Sequence, residues 1–455
     1  MRQELLEKYN VPVPRYTSYP PANYFDGSFT SEMYETAIKD SNGASPNHIS
    51  FYVHIPFCRH LCHYCGCNSF PMMRPEVVDR YIAALHKEID RVIPLLDPSR
   101  PIAQIHYGGG SPTALPVRYL KELNEHMLSA FDTIENPEIA IECHPGYLDE
   151  IYWQGLVEAG FNRFSLGVQD LDEKVLKVVN RRPSLLPLET IFRIARTANV
   201  RINMDFIYGL PYQTAESFAA TLSKAVELEP DRLVTFSYAH VPWVNKRQLI
   251  LEQAGLPSGK EKGRMYQEAV RVMHEAGYNS VGMDHFVREG DELYQALLDG
   301  RLHRNFQGYC TRRTTGQVYA FGVTGISQLD SAYAQNSKDI NEYMECAESG
   351  VFAIRKGYAL SPDEQIIRGV IESLMCNSRI DWLDLSHRFS LPIERIWDVI
   401  GYDKARIRTF VEDGLVLLDT NGLRMTDEGA LFVRNVAASF DKLMLHSSRL
   451  FSKPV

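Results

Sequence analysis

Cys58-Arg59-His60-Leu61-Cys62-His63-Tyr64-Cys65-Gly66-Cys67 places four thiols within ten residues. It follows an apolar run, residues 49–55, whose β-branched and aromatic side chains predict a buried strand. The first three cysteines are spaced C-x3-C-x2-C, so one loop can bring them to a single metal centre. Iron–sulfur clusters are held by cysteine thiolates, usually four. A loop that supplies three leaves one iron for a ligand outside the protein, and this is our main hypothesis for the loop.

Two other interpretations of the loop remain open. A structural zinc site closes with four Cys or His ligands, and Cys67, His60 or His63 can supply the fourth. A disulfide is disfavoured because the remaining cysteines are scattered singly and no secretory signal precedes them. These remaining cysteines are Cys143, Cys310, Cys346 and Cys376.

The composition predicts a soluble enzyme. The 455 residues are 45% apolar and 23% charged, which suits two or three globular domains. No apolar run approaches the roughly 18 residues of a membrane span, and the charged N-terminus lacks a signal core. The net charge of −9 disfavours a general nucleic-acid binder. We therefore expect a cytoplasmic monomer that binds neither membranes nor nucleic acid.

Between residues 49 and about 240, short β-prone runs alternate with longer stretches of helical period. This alternation predicts βαβ units and a parallel sheet. Six units in series favour a partial (β/α)6-type barrel, with a doubly wound open sheet as the alternative. The predicted strands are 50–55, 103–107, 138–142, 163–168, 203–208 and 233–238. The predicted helices are 78–95, 118–131, 150–159, 173–179, 188–198 and 215–228.

Unusual residues lie where each predicted strand ends. In parallel α/β folds the functional residues sit at these carboxyl ends, so we expect the six endings to meet at one site. They are the cysteine loop, Gly108-Gly109-Gly110-Ser111, Glu142-Cys143-His144, Gln169-Asp170, Asp205 with Tyr208-Gly209-Leu210-Pro211, and Tyr238-Ala239-His240.

We predict three parts in the chain. Residues 1–45 hold a proline-rich stretch at 11–21 and form an extended arm that packs on the barrel. Residues 46–330 form the catalytic barrel, with a seventh strand over 279–286 and a polar, aromatic loop over 303–313. Residues 331–455 form a mostly α, winged-helix-like domain.

The C-terminal prediction rests on a helix-rich pattern followed by a hairpin signal. The helices are expected at 362–375, 382–389, 393–400 and 404–413. Asn421-Gly422 lies between two apolar runs and indicates a hairpin turn. Thr426 caps a final helix that is expected to reach residue 445. The hairpin is not basic, so a nucleic-acid role is not expected.

The cysteine loop and the glycine run resemble those of the radical S-adenosylmethionine enzymes, which carry C-x3-C-x2-C after the first barrel strand. A narrower set of motifs resembles the oxygen-independent coproporphyrinogen III oxidases, and it runs from about residue 8 to the C-terminal helix. These motifs are Pro14-Arg15-Tyr16-Thr17-Ser18-Tyr19-Pro20, Tyr52-Val53-His54-Ile55-Pro56-Phe57-Cys58, Cys65-Gly66-Cys67-Asn68, Gly167-Val168-Gln169-Asp170, Asp205-Phe206-Ile207-Tyr208-Gly209-Leu210-Pro211, Gly282-Met283-Asp284-His285-Phe286 and Arg304-Asn305-Phe306-Gln307-Gly308-Tyr309.

The resemblance implies a [4Fe–4S] cluster on Cys58, Cys62 and Cys65, with S-adenosylmethionine on its fourth iron. Reductive cleavage of that cofactor gives methionine and a 5′-deoxyadenosyl radical. The radical takes a hydrogen from a propionate, which loses CO2 and becomes a vinyl group. Two propionates of coproporphyrinogen III are converted in haem biosynthesis, giving protoporphyrinogen IX. The electron donor is expected to be flavodoxin- or ferredoxin-like, and neither it nor the acceptor is identified.

The resemblance also implies site residues. Cys67, Tyr238 and Arg181 are the expected catalytic residues, and Tyr238, loop 304–313 and the arm are expected to contact substrate. The cluster-bound S-adenosylmethionine is expected to contact Tyr52, Gly109, Glu142 and Ile326. A second molecule of it is expected to contact Tyr64, Gly110, Ser111, Gln169, Arg181, Asp205 and Ala239.

The chain departs from the family pattern after Glu142. Many relatives carry an acidic residue before the proline and an arginine after it, where this chain has His144 and Gly146. Ser111 replaces a common threonine but keeps the hydroxyl. Three alternatives remain at this point: a sister radical enzyme that acts on another tetrapyrrole, a haem-handling protein, and a non-catalytic metal-binding module.

Overall fold

The computed structural model describes residues 3–311, 317–444, 449 and 451–453. At its centre lie six parallel strands, each followed by one or two helices. The strands are β1 (Ile49–Ile55), β2 (Ile102–Gly109), β3 (Thr133–Cys143), β4 (Arg163–Gln169), β5 (Arg201–Tyr208) and β6 (Arg232–Ser237). The helices are Pro75–Val92, Val117–Leu128, Glu150–Glu158, Glu173–Val178, Leu188–Thr197 and Ala215–Glu227. The predicted order of elements is confirmed.

Apolar residues alternate with polar or small ones along the six strands, and most of the apolar residues belong to the main hydrophobic core. Phe51 of β1 lies opposite Ile105 of β2, which lies opposite Ile139 of β3. Phe51 and Ile105 are at most 1% exposed. A parallel sheet buried in this way requires helices outside it. The hydrophobic core therefore lies between the strands and the ring of helices.

Further strands extend this sheet at both edges. Beyond β1 they are Val318–Phe321, which is parallel to β1, and then the antiparallel strands Ile326–Gln328, Ala332–Asn336 and Ile354–Ala359. Beyond β6 they are His285–Arg288 and Tyr278–Val281, both antiparallel. The resulting sheet has twelve strands, and within the described residues its two outermost strands do not pair with each other. The barrel is therefore partial, as predicted.

Two segments of the barrel region differ from their predictions. The single seventh strand over 279–286 is wrong, because the chain turns at Gly282 (φ 63°) and forms two antiparallel strands. The expected loop over 303–313 is instead a hairpin, Leu302–Asn305 with Gly308–Thr311. The Asn305 side chain accepts hydrogen bonds from the backbone N–H groups of residues 307 and 308 and closes the turn. Arg312 and Arg313 lie outside the described residues.

Other short elements complete the barrel region. Phe57–Cys58 and Phe70–Pro71 pair as two short parallel strands at either end of the cysteine loop. The remaining helices are Leu249–Ala254, Gly259–Glu275, Glu292–Leu298 and Ile340–Glu348. The 3-10 turns are Ser41–Gly43, Ile93–Leu95, Pro112–Ala114, Pro145–Tyr147 and Lys246–Gln248. No described helix has the length and apolar character needed to cross a membrane.

The C-terminal part follows the helix–strand order of a winged helix. Its helices are Pro362–Asn377, Trp382–Phe389, Ile393–Ile400 and Lys404–Glu412. Its sheet consists of Arg379–Asp381, Val416–Leu418 and Gly422–Met425, with the last strand in the middle. The last helix is shorter than predicted: a 3-10 turn, Gly429–Phe432, precedes Val433–Ala438. The helix ends at Ala438. A turn follows it, in which Asp441 accepts a hydrogen bond from the Leu443 N–H.

The predicted boundary at residue 330 falls inside the twelve-stranded sheet, which continues to Ala359. We propose that the C-terminal domain begins after this strand. Its hydrophobic core also includes Leu5, Tyr9, Tyr16 and Tyr19 of the N-terminal arm.

The N-terminal segment contains helices Gln3–Tyr9 and Ser31–Asp40 and a 3-10 turn, Ala22–Tyr24. The part of the arm up to Tyr19 packs on the C-terminal domain, whereas its second helix, Ser31–Asp40, packs into the barrel core. Arg434 donates to the carbonyls of Pro14 (2.9 Å) and Val13. Arg15 reaches the barrel and donates to the Ser237 carbonyl (3.3 Å) at the end of β6. The arm thus bridges the two domains.

Candidate active site

The carboxyl ends of β1 to β5 meet around one cavity. The loop after β1 contributes the cysteines, β2 ends in glycines, and β3 to β5 contribute polar side chains. The predicted site residues that line the cavity are Cys58, Cys62, Tyr64, Cys65, Cys67, Gly109, Gly110, Ser111, Glu142, Gln169, Arg181 and Asp205. The convergence expected from the strand endings is therefore present for most of the predicted residues.

The cysteine loop is held by polar side chains from the segment after β6. Asn245 donates to the Cys65 carbonyl (2.7 Å), and Gln248 donates to the Tyr64 carbonyl (2.9 Å). No motif marks these two residues, and only the fold brings them under the loop. They fix the backbone from which three thiols project.

The two histidines of the loop have partners other than a metal. His63 Nδ1 lies 3.0 Å from the Val178 carbonyl, and the Tyr147 hydroxyl lies 2.6 Å from His60 Nδ1. A histidine bound in this way can ligate zinc only through its other nitrogen. The contacts do not favour the zinc interpretation of the loop.

The surroundings of the thiols differ. Hydrogen bonds from Cys67, together with Arg247 and Arg181, lower the pKa of Cys65 to about 6 against the effect of burial. Burial and the two neighbouring cysteines raise the pKa of Cys58 to about 12. The thiolate is the form that binds metal. The surroundings of Cys65 therefore favour its thiolate form more than those of Cys58 do.

Within the described ranges, no group of three His, Cys, Asp or Glu side chains is arranged to hold a single metal ion. A zinc site needs its thiolates at about 2.3 Å from one ion. The thiolates of a [4Fe–4S] cluster bind different iron atoms and need not converge on one point. Three cysteines spread along one cavity wall fit the cluster.

Two glycines let β2 approach the cysteine loop. A Cβ on Gly109 (φ 112°) would lie 2.6 Å from the His54 ring, and one on Gly110 would lie 2.7 Å from the Pro56 backbone and 3.0 Å from the Cys58 sulfur. The Gly110 N–H donates to the Ile55 carbonyl (2.8 Å). Side chains here would push the strand end away from the thiols.

Glu142 lies opposite the cysteines with His106 beside it, 3.2 Å between Nε2 and Oε1. The ring of Tyr52 stacks on that of His106, with centroids 6.0 Å apart. Tyr52 is absent from the cavity lining but adjoins Glu142 across Gly108, whose missing Cβ would contact both side chains. His106 was missed in the sequence, although only Tyr107 separates it from the glycine run.

Asp205, Gln169 and Arg181 form the far wall. Burial raises the pKa of Asp205 to about 6, and Ser165 donates a hydrogen bond to its carboxyl group (2.8 Å). Arg181 donates to the Tyr64 hydroxyl (3.1 Å) and contacts the Cys62 sulfur (3.5 Å). The buried Oε1 of Gln169 has no hydrogen-bond partner within the described part of the chain. An acceptor in this position fits a ligand that carries hydrogen-bond donors.

The chain matches two family models: the Radical SAM superfamily over residues 52–225 and the HemN C-terminal domain over residues 360–432. It is 38% identical to the oxygen-independent coproporphyrinogen III oxidase of Synechocystis sp., over 99% of this chain and 97% of that protein. It is 38% identical to the enzyme of that name from Escherichia coli, over 98% and 96%.

The chain belongs to the oxygen-independent coproporphyrinogen III oxidase family. The solved structure of the Escherichia coli coproporphyrinogen III oxidase, described as a radical SAM enzyme, superimposes with a TM-score of 0.87 at 37% identity. It covers 97% of this chain and 98% of that one. Membership in a radical SAM family implies a [4Fe–4S] cluster and S-adenosylmethionine as cofactors.

Besides Tyr52, three residues expected from this family's pattern lie outside the cavity lining. Tyr238 is 6% exposed, and its hydroxyl lies 3.0 Å from His240 Nδ1. The Ala239 carbonyl accepts a hydrogen bond from Gln248 (3.3 Å), the residue that holds Tyr64. Ile326 packs against a separate cluster around Tyr333. Their roles in this member of the family stay predictions.

The two departures from the family pattern, His144 and Gly146, are in contact. A Cβ on Gly146 would lie 2.9 Å from His144 Cε1 and 2.9 Å from the Pro183 carbonyl oxygen. The Gly146 N–H donates to His144 Nδ1 (3.1 Å), and burial, chiefly, lowers the pKa of His144 to about 2. The imidazole is therefore neutral, and it occupies the space that a larger residue at 146 would need.

Proposed function

We propose that this protein converts two propionate side chains of coproporphyrinogen III to vinyl groups without oxygen, giving protoporphyrinogen IX. One observation carries the proposal: Cys58, Cys62 and Cys65 line a single cavity together with Glu142 and Asp205. The chain also aligns over its whole length with enzymes named for this substrate.

Cys58, Cys62 and Cys65 are the proposed cluster ligands. When bound, the cluster and S-adenosylmethionine supply a 5′-deoxyadenosyl radical. Each propionate then loses one hydrogen atom, its carboxylate as CO2 and one electron to an acceptor, which leaves a vinyl group. The first electron comes from a one-electron donor of the flavodoxin or ferredoxin class.

Glu142 is the proposed acceptor for donors of the cluster-bound S-adenosylmethionine. Gly109 allows that molecule to approach the strand backbone, and Tyr52 adjoins the carboxylate. Ile326 completes the family's set, although its contacts here are with another cluster.

A second S-adenosylmethionine is proposed against the wall formed by Gln169, Arg181 and Asp205. The unpartnered Gln169 oxygen and the buried Asp205 carboxyl group accept donors, and Arg181 suits a carboxylate. Tyr64, Gly110, Ser111 and Ala239 complete this proposed site.

Cys67, Arg181 and Tyr238 are the proposed catalytic residues. Cys67 lies in the cavity, and its N–H donates to the Cys65 sulfur (3.4 Å). This position is beside the cluster, where a thiol can influence the radical step. Tyr238 is buried in a cluster with Leu210 and Leu251, and Tyr64 of the cavity lining packs against this cluster.

The test is turnover of coproporphyrinogen III by anaerobically reconstituted protein with S-adenosylmethionine and a low-potential reductant. We expect divinyl product, with methionine and 5′-deoxyadenosine formed alongside it. Cys62→Ser should lose cluster absorption and product together. Cys346→Ser, which changes a cysteine on the remote helix Ile340–Glu348, should retain both.

S-adenosylmethionine cleavage without decarboxylation would contradict the substrate and favour a sister enzyme for another tetrapyrrole. A preparation that binds zinc but no iron or sulfide would contradict the radical chemistry altogether.

A further inference from the structure

A group of cationic side chains lies at the barrel mouth, outside the cysteine cavity. Arg15 of the arm donates to the Ser237 carbonyl (3.3 Å), and Lys262 Nζ donates to the Tyr238 carbonyl (3.1 Å). Because these carbonyls belong to consecutive residues at the end of β6, the two cationic groups are neighbours. Arg304 donates to the carbonyl of Arg15 itself (3.1 Å). Three elements distant in sequence thus bring three cations together, and we call this the cation group.

The cation group has little negative charge to balance it. Within the described part of the chain, none of its members forms an ion pair with a carboxylate. The facing carboxylate is Asp284, which is already bonded to His285 (2.7 Å). Burial, with Arg15 and Arg434 nearby, lowers the pKa of Lys262 to about 8. Asp284 is one carboxylate against three cations, so the cation group keeps a net positive charge that a further anion would offset.

Two features describe the donors of the cation group. Arg15 is solvent-exposed, although its guanidinium lies against the barrel wall. Arg304 is only 9% exposed, and among the residues that the structure describes its Nε has no hydrogen-bond partner. Arg434 is different, because its donors are used by carbonyls of the arm and the C-terminal tail. It positions Arg15 and has no such free donor.

A series of interacting charged groups connects the cation group with the proposed cofactor wall. Asp205, which lines the cysteine cavity, is electrostatically coupled to His285. His285 holds Asp284, which in turn interacts with Arg15 and Arg304. A ligand that spans this path would place one end at the cation group and the other near Asp205.

We propose that Arg15, Lys262 and Arg304 bind carboxylates of the tetrapyrrole, the propionates that are not under attack at that moment. This inference rests on the proposed function and assigns the substrate-binding end of the same site. Guanidinium groups bind carboxylates through paired hydrogen bonds. The lysine ammonium lies on a flexible stem, so it can pair with a carboxylate in more than one orientation. An anchored propionate would leave another directed toward the cofactor.

The test measures binding apart from turnover, by equilibrium dialysis of coproporphyrin III against anaerobic holoprotein. Coproporphyrin III is the oxidised form of the proposed substrate and keeps its carboxylates. We expect Lys262→Met and Arg15→Gln each to weaken binding about tenfold or more, as for loss of a hydrogen bond to a charged group. Arg15→Lys should recover part of the affinity.

Lys260→Met is the matched control, since Lys260 is exposed on the same helix as Lys262, and it should bind as the unsubstituted protein does. The tetramethyl ester of coproporphyrin III should bind the unsubstituted protein and the Lys262→Met variant equally. Circular dichroism and cluster absorption should be unchanged in the Arg15 and Lys262 variants.

The outcomes separate this inference from the proposed function. Normal coproporphyrin III binding by both the Arg15→Gln and Lys262→Met variants would overturn the inference, whatever the turnover. Weakened binding with an unsubstituted protein that does not decarboxylate coproporphyrinogen III would support the carboxylate site and contradict the reaction. An equal loss of ester and acid binding would show a structural effect and overturn the charge-based assignment.

Discussion

Gln169 combines an unusual backbone conformation with an unpaired buried side-chain oxygen in the described structure. Its φ of 72° lies in the left-handed region, which is uncommon for a residue with a side chain. Such a conformation costs on the order of 1–3 kcal/mol and persists only where the surroundings enforce it. The conformation accompanies a buried amide oxygen that has no protein partner. Strain and an unsatisfied acceptor at one position indicate a ligand-binding role.

We expect Gln169→Ala to weaken S-adenosylmethionine binding about tenfold, because a hydrogen bond is worth roughly 1 kcal/mol or more at such a site. Isothermal titration of the reconstituted protein measures this, with cluster absorption as the check on assembly. Gln253→Ala, an exposed substitution after β6, is the control. Equal affinities in the two variants would refute a ligand-binding role for Gln169.

Gly146 packs closely against His144, which leaves little space for a side chain at position 146. We expect Gly146→Ala to lower the free energy of unfolding by about 1–3 kcal/mol, the usual cost of overpacking, because its Cβ would meet three groups at 2.9 Å. Urea denaturation measures the change. Gly43→Ala, with nothing within 4 Å of the added Cβ, should be much closer to neutral. An unchanged free energy of unfolding for Gly146→Ala would contradict the prediction and show that the neighbouring atoms can move to accommodate the added Cβ.

At the scale of elements, Glu88 joins helix Pro75–Val92 to the edge of the sheet. Its buried carboxyl group accepts hydrogen bonds from the Tyr343 hydroxyl (2.7 Å), the Gly322 N–H (2.8 Å) and the Asn336 amide (2.7 Å). Burial nevertheless raises the pKa of Glu88 to about 7. One side chain therefore connects three elements and titrates near neutral pH.

This gives a pH-dependent prediction. Because the folded-state pKa of Glu88 is above its unfolded value of about 4.3, its contribution to stability is complete below that value. The contribution is lost as pH rises through about 7. Between pH 4.5 and 7, the free energy of unfolding of the native protein should therefore fall by up to about 3 kcal/mol relative to Glu88→Gln.

Urea denaturation at a series of pH values measures this difference. At pH 5 the glutamine variant should also be less stable by about 1–3 kcal/mol, because its amide N–H faces groups that themselves donate. Glu345→Gln, on the exposed side of helix Ile340–Glu348, should follow the pH dependence of the native protein. The prediction would be contradicted if the free energy of unfolding of Glu88→Gln changed with pH in the same way as that of the native protein.

At the scale of the whole molecule, the arm connects the two domains. Tyr16 donates to Asp441 (2.9 Å), and Arg434 donates to the carbonyls of Pro14 and Val13. These contacts carry Arg15 to the end of β6. The C-terminal domain therefore holds the arm in the position from which Arg15 contacts the barrel.

We expect Arg434→Ala to release the arm and abolish product formation while cluster absorption remains. The reason is that buried carbonyls lose their donors, while the cysteine loop is held by other residues. Limited proteolysis near residues 11–21 measures release of the arm. Arg406→Ala, which removes an exposed hydrogen bond to the Ser439 carbonyl, should leave the arm protected. Normal turnover by Arg434→Ala would contradict a role for the arm.

Much of the fold and site was predictable from sequence because the signals are local. Apolar runs and helical periods depend on neighbouring residues, so β1 to β6 were located to within a few residues except at the start of β3. The hairpin Leu302–Asn305 with Gly308–Thr311 was missed because its polar residues mask strand alternation. Their burial depends on packing partners distant in sequence.

The sequence alone determined which chemical groups are available: three thiols at C-x3-C-x2-C spacing after a first strand, and polar residues at the strand ends, follow from residue identity and spacing. Tertiary structure alone decided that the arm up to Tyr19 packs on the C-terminal domain, that Asn245 and Gln248 hold the cysteine loop, and that Arg15, Lys262 and Arg304 meet. These contacts join residues up to hundreds of positions apart, and no local pattern encodes which distant partners the closing of the fold will bring together.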